Sequence, residues 1–173
     1  MKRQCLMFCG LLGCLCFGGG DWLMIYGDTA TQASLYWLTD GVAGIAPWRN
    51  TLALALSLPG ILFYGIALFA LGDLIREKTQ KQIYHYLNVF GLTPWLGLHL
   101  FYIMILYLFA WMNGNGFADA AIPTAEALYE HFSWFILVSE AIMLPPFVYW
   151  FYLTLKGKTE LPKIMAVSNP LTI

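Results

Sequence analysis

Residues 132–155 read FSWFILVSEAIMLPPFVYWFYLTL. At about 1.5 Å of rise per residue, a helix over this stretch would reach roughly 36 Å, enough to cross a hydrocarbon core of about 30 Å with some tilt. The stretch therefore predicts a transmembrane helix. Glu140 is its only charged residue. Because a carboxylate near the bilayer centre costs at least a few kcal/mol unless it meets protein, water or a partner, we expect Glu140 to point into the protein.

Two adjacent prolines follow Glu140 in the same helix. Pro145 and Pro146 carry no backbone N–H, so they leave the carbonyls of Ala141 and Ile142 without their usual helical donors. In lipid such carbonyls need another partner. We expect them to form a small polar pocket with Glu140 near the membrane midplane.

Composition places the whole chain in the membrane. The 173 residues are 60% hydrophobic and 11% charged, whereas a soluble domain has about 25% charged residues. Apolar stretches predict four spans, at about residues 5–26, 52–72, 94–112 and 132–155. We therefore predict an all-α fold, a polytopic transmembrane helical bundle that forms a single domain over residues 1–173. Nothing in the sequence indicates binding to nucleic acid.

Two boundaries have alternative interpretations. Thr93 and Pro94 suit the cap and first turn of a helix, so the third span either begins at Pro94 or belongs to a longer helix that kinks there. We favour the first, with residues 83–92 at the membrane interface. Residues 164–173 are apolar but too short to cross a membrane. They form either a tail or the start of a further helix in a truncated chain.

The first span contains small residues at helical spacing. Gly10, Cys14 and Gly18 fall at four-residue steps, as do Cys9 and Gly13, and such faces let a second helix approach closely. All four cysteines lie in this span, where we expect them to be reduced. Their spacing supplies no complete ligand set for a metal, and we predict neither a metal site nor a cofactor.

The distribution of basic residues predicts the orientation. Eight of the nine Lys and Arg residues fall on one side of a four-span topology, and only Arg49 falls on the other. Basic residues in short loops favour the cytoplasmic side. We therefore predict that both termini are cytoplasmic and that the protein resides in the cell (cytoplasmic) membrane. The basic residues on the cytoplasmic side are Lys2, Arg3, Arg76, Lys78, Lys81, Lys156, Lys158 and Lys163.

Three ionisable residues lie in or near the predicted spans. We place Asp21 in the outer part of the first span, His99 in the inner part of the third and Glu140 near the middle of the fourth. An ionisable residue in the membrane is a functional-site hypothesis by default. Together with Tyr102, which like Trp95 shares the helical face of His99, they are our candidate ligand-binding residues. Alternatively, Glu140 hydrogen-bonds His99 or a tyrosine and only fixes helix register, and Asp21 is an interfacial capping residue.

Two resemblances add to this interpretation. The segment with Glu140, Pro145, Pro146, Tyr152 and Lys156–Gly157–Lys158 resembles an uncharacterised bacterial family of small multi-pass membrane proteins, as does Gly20–Asp21–Trp22. That resemblance implies further spans and no assigned activity. The fourth span alone is similar to the sterol-isomerase and sigma-two receptor group, which implies a carboxylate that holds a cationic ligand. Only Glu140 matches an acidic position of that group.

Three functions are compatible with these features. We favour binding or transport of a small lipophilic or cationic solute through a midplane polar pocket. The alternatives are an isomerase-like membrane enzyme that uses Glu140, with no catalytic residue identified, and a structural or assembly subunit of a membrane complex. The expected partners are the lipid bilayer, such a ligand and a second copy of the chain in a homo-oligomer.

Overall fold

The structure, a computed structural model, describes residues 3–26 and 34–168. Within these residues the protein is helical and contains no strand. Four of the helices are long and apolar enough to cross a membrane, which confirms the predicted all-α bundle of four spans. The helices are α1 (Arg3–Ile25), α2 (Asp40–Ala43), α3 (Pro47–Gly72), α4 (Lys78–Gly114), α5 (Ala118–His131) and α6 (Ser133–Leu155), followed by a 3₁₀ helix (Lys163–Ser168).

Helix α4 is longer than predicted. It runs without a break through Pro94 for 37 residues, about 55 Å, so the preferred start at Pro94 is wrong and the longer helix is correct. Pro94 removes one helical hydrogen bond, but the preceding turns are held by tertiary packing. Leu92 lies against Gly65 of α3, and Gly91 lies against Pro146 of α6. Packing on both sides therefore outweighs the local proline signal.

Helix α3 also begins earlier than predicted. Its first residue is Pro47, and Ala46 occupies the cap position without a side-chain hydrogen bond. Proline suits this place because its fixed φ is already helical and its missing N–H would be unpaired there anyway. Asn50 and Thr51, the residues best suited by type to cap this helix, therefore lie within its first turns instead.

Neighbouring helices run antiparallel. α1 packs mainly on α3, α3 packs on α4, and α4 packs on α5 and α6. The closest approach is between α1 and α3, where a Cβ atom added to Gly13 would lie 2.7 Å from the backbone nitrogen of Tyr64 and 3.0 Å from the carbonyl oxygen of Gly60. Gly10 and Gly13 make this approach, whereas Gly18 has nothing within 4 Å. The contact thus uses one glycine from each of the two small-residue faces predicted for this helix.

The bundle has two distinct ends. At the basic end, the loop after α3 pairs with the segment after α6 through a β-bridge between Ile75 and Thr159 and through the Arg76 N–H, which donates to the Lys158 carbonyl oxygen at 3.0 Å. Leu74, Tyr84 and Trp150 belong to the hydrophobic cluster behind this contact. The alternation of helices brings the basic residues 76, 78, 81, 156, 158 and 163 to this end. Which side of the membrane it faces stays a prediction.

The opposite end, which we call the loop end, holds a larger cluster. Segment 35–45, α5 and the adjoining turns of α1, α3 and α4 contribute to it. Ser34 donates to Glu126 Oε1 from its backbone nitrogen at 2.9 Å and from its hydroxyl at 2.7 Å. These bonds fix the start of the loop segment to α5. The buried members of the cluster are Met24, Leu38, Val42, Ile45, Ala53, Ile103, Ile105, Leu106, Phe109, Ala121 and Ala125.

Candidate ligand site in the membrane helices

The structure brings Asp21 and His99 together. His99 Nδ1 on α4 lies 3.6 Å from Asp21 Oδ1 on α1, close enough for an ion pair when the ring is protonated but longer than a hydrogen bond. The His99 side chain is 10% exposed and that of Asp21 is 54% exposed. The sequence placed these two residues in opposite halves of the membrane, and the structure brings them to the same level. Because α4 begins at Lys78, His99 lies past its middle, at the depth of Asp21.

The second ring nitrogen of His99 is buried. His99 Nε2 has no hydrogen-bond partner among the residues that the structure describes. A Cβ atom added to Gly20 would lie 3.9 Å from this nitrogen and 3.5 Å from the Ala53 carbonyl oxygen. The glycine before Asp21 therefore lets α1 pass close to both α3 and the imidazole.

An aromatic cluster centred on Trp95 lies one turn from His99. The Trp95 ring stacks on Phe17 of α1 with centroids 5.7 Å apart. It meets Tyr64 of α3 edge-on at 4.8 Å and Phe147 of α6 at 6.1 Å. Phe17 also contacts the His99 ring at 5.3 Å. All four long helices therefore meet at Trp95, whose i, i+4 spacing places it on the same helix face as His99.

Glu140 does not point into the bundle. Its side chain is exposed, whereas the adjacent Ser139 is buried against the rest of the protein. The expectation of an inward Glu140 is wrong because α6 directs Ser139, Pro146 and Trp150 inward, and a helix turns by about 100° between neighbouring residues. Glu140 forms no hydrogen bond or ion pair with the described part of the chain, and Asp21 takes the place beside His99.

Tyr102 is the candidate site residue that lies near Glu140. It lies near enough to the Glu140 carboxylate for electrostatic interaction. Its ring is 5.8 Å from that of Trp37 and 6.4 Å from that of Tyr129. Tyr102 lies three residues after His99, and residues at this spacing share a helix face. Asp21 is therefore near His99 and Glu140 near Tyr102, two residues on one face of α4.

The Ile142 carbonyl, one of the two freed by the prolines, lies at the contact with α4. Pro146 is buried, and a Cβ atom added to Gly91 of α4 would lie 3.2 Å from Pro146 Cγ and 3.6 Å from the Ile142 carbonyl oxygen. Pro146 thus lies in the contact between α6 and α4, whereas Pro145 is exposed. This differs from the predicted pocket, in which Glu140 and the freed carbonyls shared one space.

The described arrangement suits binding or acid–base chemistry rather than metal binding. Two carboxylates supply negative charge, one imidazole can exchange a proton, and aromatic rings supply apolar surface. In the described ranges no three His, Cys, Asp or Glu side chains converge in a way that could hold a metal ion. An apolar cavity of about 600 Å³ lies elsewhere, between α1, α3 and α4 near Asp73 and His85.

The comparisons with known proteins identify a family and no function. The model of a family described only as a family of unknown function (DUF6796) matches residues 1–173. No curated protein matches the chain. No solved structure matches it either.

Proposed function

Since the chain belongs to the family of unknown function DUF6796, we propose from the geometry of its membrane helices that it binds a small lipophilic cation between Asp21 and Glu140. The observation that carries this proposal is the half-exposed Asp21 carboxylate, which lies on a membrane helix beside a largely buried histidine. An ionised carboxylate in the membrane requires a compensating partner. A cationic ligand supplies one.

Charge in the described spans favours a cation. Arg49 is the basic residue at the start of α3, the helix that packs on α1. Its guanidinium donates to the carbonyl oxygens of Tyr26 at 2.8 Å and Trp22 at 3.5 Å. These bonds direct Arg49 to the end of α1. His99 is therefore the neighbouring side chain that can compensate the charge of Asp21. The Asp21 carboxylate remains half exposed and accessible to a ligand cation.

The aromatic residues favour a lipophilic ligand. Phe17 and Trp95 flank His99, and Trp37 and Tyr129 flank Tyr102. Aromatic faces attract cations by about 0.5–2 kcal/mol, more where water is excluded. A cation with apolar substituents would gain from both the carboxylates and these rings.

Tetraphenylphosphonium tests this proposal, with tetraphenylborate as a control of the same shape and opposite charge. We expect the purified protein to bind the phosphonium saturably and the borate much more weakly. Asp21→Asn should weaken phosphonium binding by about tenfold or more, equivalent to about 1.4 kcal/mol, and Glu140→Gln should weaken it less. Glu126→Gln removes a carboxylate outside the spans and should leave binding unchanged. Equal binding of both ions, or an unaffected Asp21→Asn variant, would overturn the proposal.

We further propose that the protein transports this cation across the cytoplasmic membrane of a bacterium, with both termini in the cytoplasm. The gathering of basic residues at one end of the bundle supports this orientation. Single cysteines introduced at Ser34 and Asn115 in a chain whose own cysteines are replaced should react with an impermeant reagent from outside the cell. Reaction only from the cytoplasm would reverse the orientation.

A role as a subunit of an assembly is the second candidate, and the exposure of Glu140 favours it. A carboxylate on the outer surface of a membrane helix can bond to a neighbouring chain in place of lipid. If this is its role, Glu140→Gln should lower the molecular mass measured by light scattering in detergent while leaving phosphonium binding intact. The isomerase-like alternative moves from Glu140 to the Asp21–His99 pair, and its test is chemical change of a bound ligand.

A further inference from the structure

A second cavity lies at the loop end of the bundle, away from Asp21 and Glu140. It has a volume of about 380 Å³ and lies between segment 43–47, the first turn of α3 and the last turns of α4. This is within the range of roughly 300–1,000 Å³ that small-molecule sites occupy. Asn50, Tyr107, Trp111 and Asn115 are the polar and aromatic side chains that line it.

Asn50 is the unusual residue of this cavity. Its side chain is 3% exposed, and both Nδ2 and Oδ1 are buried without a hydrogen-bond partner in the described part of the protein. A side-chain amide offers two donors and an acceptor, and a buried polar group left unpaired costs about 1–3 kcal/mol. A hydrogen-bonding ligand in the cavity would supply this amide with a partner.

Other asparagines of α4 and its C-terminal cap pair their Nδ2 groups, which Asn50 does not. Asn88, Asn113 and Asn115 each donate from Nδ2 to the carbonyl oxygen four residues earlier, at 2.8, 2.8 and 2.7 Å. The corresponding carbonyl for Asn50 is that of Ala46, which accepts the backbone N–H of Arg49 at 3.0 Å. Among these asparagines, Asn50 alone has both side-chain polar atoms buried and unpaired within the described residues.

The lining determines which ligand chemistry fits. No Asp, Glu, Lys, Arg or His is among the described residues that line the cavity, so a charged ligand would be uncompensated. Asn50 presents donors and an acceptor together, which hydroxyl groups can satisfy because each hydroxyl both donates and accepts. Tyr107 and Trp111 are 44% and 45% exposed and offer apolar ring surface at the rim.

We propose that this cavity binds a neutral polyhydroxylated group, either a free sugar or the sugar headgroup of a lipid, with the Asn50 amide as its central hydrogen-bonding group. The proposal is independent of cation binding, because the two sites share no residue. An experiment that overturns one of the two binding proposals therefore does not affect the other.

Three probes separate the two sources of the sugar. The full chain is purified in a phosphocholine detergent, which carries no sugar, and its thermal stability is measured with glucose, with octyl glucoside below its micellar concentration, and with an octyl oligo-oxyethylene ether. We expect saturable stabilisation by the glucoside and none by the ether. Stabilisation by glucose as well identifies a free-sugar site, and stabilisation by the glucoside alone identifies a lipid headgroup site. No sugar-dependent stabilisation, or an equal effect of the ether, would overturn the proposal.

Substitution of Asn50 supplies the specific test. Asn50→Leu removes the unpaired groups at similar volume, so the variant without ligand should be as stable as the wild type or more so, and its affinity for the glucoside should fall by at least about tenfold. Asn88→Leu is the matched control, since it removes a buried amide that lies outside the cavity and whose Nδ2 donates to the Tyr84 carbonyl oxygen: it should keep sugar binding. An Asn50→Leu variant that still responds to the glucoside contradicts the proposal.

A rim variant keeps the test open if Asn50→Leu does not fold. Trp111→Leu should weaken glucoside binding severalfold, whereas Trp134→Leu, an exposed tryptophan at the start of α6 away from the cavity, should not. Equal effects of the two substitutions would show that the glucoside acts through the general apolar surface, and the proposal would be wrong.

Discussion

Replacing Gly13 with alanine should drive α1 and α3 apart. The added Cβ would lie 2.7 Å from the Tyr64 backbone nitrogen and 3.0 Å from both Tyr64 Cα and the Gly60 carbonyl oxygen. Carbon atoms normally approach such atoms no closer than about 3.5 Å. The obstructing atoms all belong to the backbone, so no side-chain rotation relieves the overlap and the helices themselves must separate.

The magnitude follows from two opposing effects. Inserting a methyl group into a tightly packed contact costs typically about 1–3 kcal/mol. Alanine is favoured over glycine in a helix by about 1 kcal/mol. The Gly13→Ala variant should therefore lose up to about 2 kcal/mol of unfolding free energy.

Gly18→Ala is the matched control because it lies on the same helix and has nothing within 4 Å of the added Cβ. This variant should gain up to about 1 kcal/mol from helix propensity alone. The two variants should then differ by about 1–3 kcal/mol, or about 2–12 °C in midpoint temperature for a chain of this size. Thermal unfolding of both variants in one detergent, followed by circular dichroism, measures the difference.

Equal stability of the two variants, or a more stable Gly13→Ala, would refute this reasoning. Either result would mean that α1 and α3 do not approach each other at Gly13. The close contact also positions Phe17 and Asp21, so a destabilised Gly13→Ala variant should bind tetraphenylphosphonium more weakly than Gly18→Ala does.

Two carboxylates outside the α1–α4 pair give further predictions. Glu140→Leu should keep or raise the thermal stability in detergent, because the exposed side chain forms no hydrogen bond with the described residues; a loss of more than about 1 kcal/mol would show that the bundle satisfies this carboxylate. The Ser34 hydroxyl and N–H hold the pKa of Glu126 below its ordinary value of 4.5. The stabilisation from a lowered pKa is complete above that value and is lost as the pH falls through the folded-state pKa. Unfolding midpoints between pH 7 and pH 3 should therefore fall less for Glu126→Gln than for the wild type, and parallel curves would contradict this assignment.

The residues at which the membrane helices begin could be predicted only in part. The long apolar runs gave the correct number of membrane helices, but α4 begins at Lys78 and not at Pro94. Thr93 and Pro94 are a local signal for a helix start. Contacts of Gly91 and Leu92 with α6 and α3 override it, and such contacts cannot be read from neighbouring residues.

The candidate site shows the same division. Asp21, His99 and Tyr102 could be singled out because polar residues are rare in apolar stretches. Their arrangement could not, since the depth of His99 depends on where α4 begins. The direction of Glu140 could not be predicted either, because α6 is apolar on every side and its sequence shows no preferred buried face.

The sequence by itself determined that the chain forms four membrane-crossing helices and that its basic residues gather at one end, because water excludes long apolar segments and charge stays in the loops. The tertiary structure decided which faces meet: Asp21 with His99, Trp95 with all three neighbouring helices, and Glu140 outward. Helix rotation and depth are set by close packing between helices. In an all-apolar environment no hydrophobic pattern along one helix specifies that packing.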